Sequence, residues 1–190
     1  QAEISRQVAV ELKAAISPGK RSLSADKPTD SLAAYQEYLR GKHFVQRYTK
    51  GGFEKGMAGW HPRSNQDLPN HKIETEGAVE GKQCASIEKS GYYYSEKMGL
   101  PVGTKLSARA MIRTTELPEG KGATMTFHFW KGGRAFTNKR VGPIRGTQWQ
   151  EVALNATVPE GTEQVSLALE FFAPGKAWFD DVRLTTDLPR

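Results

Sequence analysis

The segment KAWFDDVRLTT, residues 176–186, sets two adjacent aspartates, Asp180 and Asp181, inside a strand-like apolar run. A buried carboxylate without a partner is costly, so such a residue faces water, accepts from backbone donors or is held by a cation. A second group, His61, Asp67, His71 and Glu74 within HPRSNQDLPNHKIE, has residue types that could serve as metal ligands or as an acid/base set. Its spacing matches no zinc motif and no helix presents both histidines on one face, so the stretch reads as a Pro/Asn-rich loop. Neither a nucleophile elbow, a phosphate-binding glycine loop nor a paired-carboxylate cleft is visible in the spacing, which points away from an enzyme. Cys84 is the single cysteine, so an internal disulfide and a thiolate metal cluster are excluded, and it reads as a small buried hydrophobe.

Two kinds of element must position these groups. From Glu3 to Ile16 the apolar residues Ile4, Val8, Leu12 and Ile16 lie along one helix face, and SPGK stops the pattern. A second helix is expected after Thr29 or Asp30 as N-cap, carrying Leu32, Tyr35 and Leu39 toward Gly41. Beyond about Lys50 the period becomes two. KLSARAMIRT turns Leu106, Ala108, Ala110 and Ile112 to one side, and ATMTFHFW turns Met125, Phe127 and Phe129 inward against Thr126, His128 and Trp130. EVALNATVP and QVSLALEFF repeat the alternation with Val152, Leu154, Ala156 and Val158, then with Val165, Leu167, Leu169 and Phe171, before APGK turns the chain. Turn signals such as LPEGKG, FWKGGR and VPEGT separate the strands, with no helix-length crossover between them. The expected fold is mainly β: an antiparallel jelly-roll β-sandwich over residues 49–190, with an N-terminal two-helix extension or linker over 1–48.

The 190 residues carry a net charge of +6, and residues 1–50 hold nine Lys/Arg against five Asp/Glu. No basic run interleaved with aromatics appears, so nucleic acid is not an expected partner. No stretch approaches the apolar length of a membrane span. A chain opening on Gln1 is expected to be part of something longer. One thiol is compatible with cytoplasm and periplasm alike, and a periplasmic or extracellular location is favoured over a cytoplasmic one.

GGFEKGMAGW at 51–60, GKQCAS, LPVGTKLSARAMIRT and the closing AWFDDVRL come in an order and spacing that resemble the galactose-binding-like β-sandwich, in particular carbohydrate-binding modules of families 4, 9 and 22, over residues 51–186. The resemblance implies a structural calcium held by Glu54 and Asp180 with backbone carbonyls, Asp181 being a solvent-facing neighbour. It also implies a polysaccharide or oligosaccharide partner. The first helices followed by KPTDSLAAYQEYLRGKHFVQR resemble the stretch joining a TolB-like domain to tetratricopeptide repeats in bacterial signalling proteins. That resemblance implies a different role, a sugar-independent interaction or sensing module, with docking or self-association through Ile4, Val8, Leu12 and Leu39.

Sugar recognition on a sheet needs rings that stack on pyranose faces, flanked by groups that bond hydroxyls. The candidates are Trp130 and His128 on the polar face of their strand, Tyr92, Tyr93 and Tyr94, whose rings must divide between both faces, and Phe136, Asn138 and Arg140. Trp60 and Trp178 read as packing residues at the strand ends, and Trp149 as an edge or core aromatic.

Overall fold

The computed structural model of the protein describes residues 53–62 and 68–187; the helix pair expected over residues 1–48 lies outside them. The period-two alternation becomes eight strands: β1 Trp60–Pro62, β2 His71–Glu74, β3 Cys84–Ser95, β4 Lys105–Thr114, β5 Ala123–Lys131, β6 Arg134–Ile144, β7 Gln150–Thr157 and β8 Gln164–Asp187. All the pairings among them are antiparallel.

β3 and β8 are long enough to serve two sheets. Residues 164–172 of β8 and 90–95 of β3 form the middle of a first sheet, ordered β6-β5-β8-β3-β1. Past a bend, residues 176–187 of β8 and 84–88 of β3 form the middle of a second, ordered β7-β4-β8-β3-β2. The inner faces share one core. Tyr93, Met125, Phe127, Phe129, Leu167, Leu169 and Phe171 meet Ile87, Leu106, Ile112, Leu154, Phe179 and Leu184, all buried in a single cluster. Phe53 and Trp60 close the β1 end, their rings stacked at 5.3 Å. The expected antiparallel sandwich and the inward residues of all four alternating runs are therefore present.

Two local readings change. APGK, expected to turn the chain, lies inside β8, which continues as one 24-residue strand. The ladder breaks between Glu88 and Ser90, opposite residues 173–175, and resumes with the same partner, so the segment bends the pair from one sheet to the other without reversing it. HKIE, expected in a loop, is β2: too short to show a period, it is ordered by pairing with residues 84–87 of β3. His71 is buried there, donating from Nε2 to the Tyr92 carbonyl at 2.9 Å and standing edge-on to the Tyr93 ring. It fits because Gly91 has no side chain. A Cβ at Gly91 would fall 2.4 Å from His71 Cε1.

The β5–β6 hairpin follows its sequence signal closely. Lys131 pairs with Arg134 across Gly132 and Gly133, both at positive φ (54° and 75°), the conformation a two-residue turn of this hand demands.

Candidate functional site

The outer face of the first sheet carries the aromatic candidates. Alternation buries Tyr93 and leaves Tyr92 and Tyr94 on the outside, their rings stacked at 5.3 Å and 22°. Tyr92 stands edge-on to Phe172 at 4.7 Å, while Tyr94 lies 5.4 Å from His128 and 6.3 Å from Trp130. Tyr92, Tyr94, His128 and Trp130 are thus gathered into one strip, whereas Tyr93 is buried in the core. Phe136, Asn138 and Arg140 lie on the edge strand β6, all exposed, with Asn138 opposite His128 and Arg140 opposite Thr126. Asn138 also borders a separate groove of about 700 Å³ with Lys105, Asn155 and Thr185.

Three groups in the strip were not singled out in the sequence, and all bear on its geometry. Ser166 accepts from Trp130 Nε1 at 2.9 Å, which fixes the indole plane. Glu170 Oε1 accepts from His128 Nε2 at 3.0 Å. Thr126, two residues before His128 on the same face, is 2% exposed, and its hydroxyl finds no partner. Lys97, in the loop after β3, places Nζ 3.6 Å above the Trp130 ring centroid. Ser166 and Glu170 had a signal: they alternate with Val165, Leu167 and Leu169. A loop lysine has none.

Beside the strip lies a cleft of about 610 Å³ bordered by His61, Tyr92, Tyr94, Lys97, Trp130 and Ser166, within the size range of small-ligand sites. His61 reaches Glu96 at 4.0 Å on its rim. The set His61, His71 and Glu74 does not converge. His61 is at this rim, His71 under the bend and Glu74 on the outer face of the second sheet, and Asp67 is outside the described residues. No group of three or more His, Cys, Asp or Glu residues gathers as for a metal ion among the described residues.

The outer face of the second sheet is occupied by its own side chains. Arg113 is stacked 4.8 Å from Trp149 and 4.6 Å from Trp178, and Glu74 accepts from Trp178 Nε1, Ser86 Oγ and Lys176 Nζ. Partial burial works to raise the Glu74 carboxyl, but its three donors together outweigh that and hold it below its ordinary value. Burial pushes the Cys84 thiol up to about 11, which leaves it protonated and inert.

Asp180 is fully buried. Its Oδ2 accepts from the amides of Val79 (2.6 Å) and Glu80 (3.0 Å), and its Oδ1 from that of Asp181 (2.7 Å). Glu54 Oε1 accepts from the amides of Lys82 (2.8 Å) and Gln83 (3.0 Å). The two carboxylates grip one turn, residues 79–83. Calcium takes roughly six to eight hard oxygens, and these residues can offer it Glu54 Oε2 and Asp180 Oδ1, the rest falling to carbonyls or water. Asp181 sits in a bulge at φ 44° and pairs with Arg183 at 2.7 Å.

No family model and no curated protein matches the sequence. Solved structures do match. A family 16 carbohydrate-binding module superposes with a TM-score of 0.54 at 18% identity, over 70% of this chain and 94% of that one. The CBM22-1 and GH10 modules of the Clostridium thermocellum endo-1,4-β-D-xylanase 10B, complexed with xylohexaose, match with a TM-score of 0.51 at 14% identity, over 67% of this chain and 26% of that one. The enzymatically active domain of bacteriophage CBA120 tailspike protein 4 matches with a TM-score of 0.51 at 10% identity, over 72% and 20%. The fold is that of the β-sandwich carbohydrate-binding modules, a sandwich also found within larger catalytic proteins. These matches give no support to the resemblance of the N-terminal residues to the TolB-like/tetratricopeptide junction.

Proposed function

We propose that the protein is a non-catalytic glycan-binding module that lays a polysaccharide segment across the outer face of its first sheet, in the cleft beside Tyr92, Tyr94 and Trp130. One observation carries this reading: four aromatic or imidazole rings from two non-adjacent strands share one face of a carbohydrate-binding-module fold, and three of them, Tyr92, Tyr94 and Trp130, border a cleft. Tyr92 and Tyr94 supply apolar area for pyranose faces, Trp130 lines the cleft beside them, and Asn138 and Arg140 supply hydroxyl-bonding groups at the β6 edge. We read the site as binding rather than catalysis because the chain superposes over 70% of its length on a carbohydrate-binding module. The proposal includes a structural calcium at Glu54 and Asp180.

Affinity electrophoresis through gels containing neutral or acidic polysaccharides tests the reading. Retardation on at least one polymer is expected, reduced about tenfold by Tyr94→Ala or Trp130→Ala, a loss of the size that aromatic contacts carry. Migration unchanged by every polymer would contradict it.

A further inference from the structure

We infer that the cleft selects an anionic glycan, one bearing carboxylate or sulfate groups, with Lys97 as the selecting residue. The inference rests on the glycan-binding reading above and names the ligand class of that same site. Lys97 Nζ stands 3.6 Å over the Trp130 ring, and the indole is held in plane by its bond to Ser166. The covered ring face cannot also lie against a sugar. A neutral pyranose must first displace the ammonium and give up its attraction to the ring, whereas a carboxylate or sulfate is met by the ammonium where it stands.

Two cations at the strip point the same way. The Glu170 carboxylate is engaged by a hydrogen bond from His128 Nε2, and Glu96 lies 4.0 Å from His61. Lys97 and Arg140 make no ion pair among the described residues. Arg140 ends the cross-strand row Tyr94, Ala168, Thr126, Arg140. Three strand spacings of about 4.8 Å put it roughly 14 Å from Tyr94 along that row. A polyanionic chain laid on the row would therefore meet a cation at each end, Lys97 beside the rings and Arg140 at the sheet edge.

The test compares polygalacturonate with the same polymer after reduction of its carboxyl groups to alcohols, and dextran sulfate with dextran. Binding is measured by affinity electrophoresis and calorimetry on the full chain. Wild type should hold an acidic polymer at least about tenfold more tightly than its neutral counterpart, the effect of one charge-assisted hydrogen bond. Lys97→Ala should remove that preference and improve binding of the neutral polymer by uncovering Trp130, and Lys97→Arg should restore the preference. Preference for the sulfated pair alone assigns sulfate as the group, and for the uronate pair alone carboxylate. Lys121→Met, at the far end of β5 from Trp130, controls for net charge and should change nothing. Equal binding of acidic and neutral polymers, or an equal loss in Lys97→Ala and Lys121→Met, would overturn the inference and leave glycan binding standing. Binding to none of the four polymers would overturn the inference, and glycan binding as well if every other polysaccharide also leaves migration unchanged.

Discussion

At the scale of single residues, the two aspartates in one strand have separate work. Asp180 is turned from solvent and accepts three amides, while Asp181 occupies the bulge and meets Arg183. Asp180→Ala leaves the Val79, Glu80 and Asp181 amides without their acceptor, and a loss of about 2–4 kcal/mol in urea unfolding is expected. If calcium joins the same turn, it stabilises the folded chain by mass action. Melting with excess calcium should then exceed melting with chelator, a difference that Asp180→Ala abolishes and Asp181→Ala largely keeps. Coincident curves for metal-free protein would contradict the ion and leave the amide clamp. Glu74 gives a pH signature. Its carboxyl lies below the ordinary 4.5 in the folded chain, so its stabilisation is present above that pH and lost as pH falls through the lower folded value. Acid unfolding of Glu74→Gln should therefore show a shallower fall in stability below about pH 4.5 than wild type. Parallel acid limbs would show that the three donors do not favour the charged form.

At the scale of elements, alternation made most of the sandwich legible. Met125, Phe127 and Phe129 had to oppose His128 and Trp130, and three consecutive tyrosines had to divide between two faces. Gly-Gly at 132–133 specified its own turn. What pairing alone decides was not legible. β2 takes its form from β3, and the bend through residues 173–175 is a turn only if no partner strand follows it round the corner. The site was legible to the same depth: its ring-bearing positions follow from period two, whereas the placement of Lys97 over Trp130 depends on a loop. The bend yields a prediction of its own. Gly91→Ala would drive a methyl into the His71 ring, and a loss of about 1–3 kcal/mol is expected from such overpacking. His71→Ala in the same chain should recover part of it by opening the space. A change within about 0.5 kcal/mol, the range of an ordinary surface substitution, would mean the bend yields freely.

At the scale of the whole molecule, the two outer faces present their aromatic residues differently. On the second sheet, Trp149 and Trp178 pack against Arg113, Lys176 and Glu74. On the first sheet, Tyr92, Tyr94 and Trp130 border a cleft of about 610 Å³. The sequence has four tryptophans, and their indole N–H groups report on separate places: Trp60 in the core, Trp149 and Trp178 on the second sheet, Trp130 at the cleft. The most direct test of glycan binding on the first sheet is a nitrogen–proton correlation spectrum of these four indoles, titrated with oligosaccharides cut from whichever polymer retards the protein. Saturable movement of the Trp130 signal is predicted, with the other three nearly still. Movement of Trp149 or Trp178 while Trp130 stays in place would put the ligand on the other sheet and contradict the account.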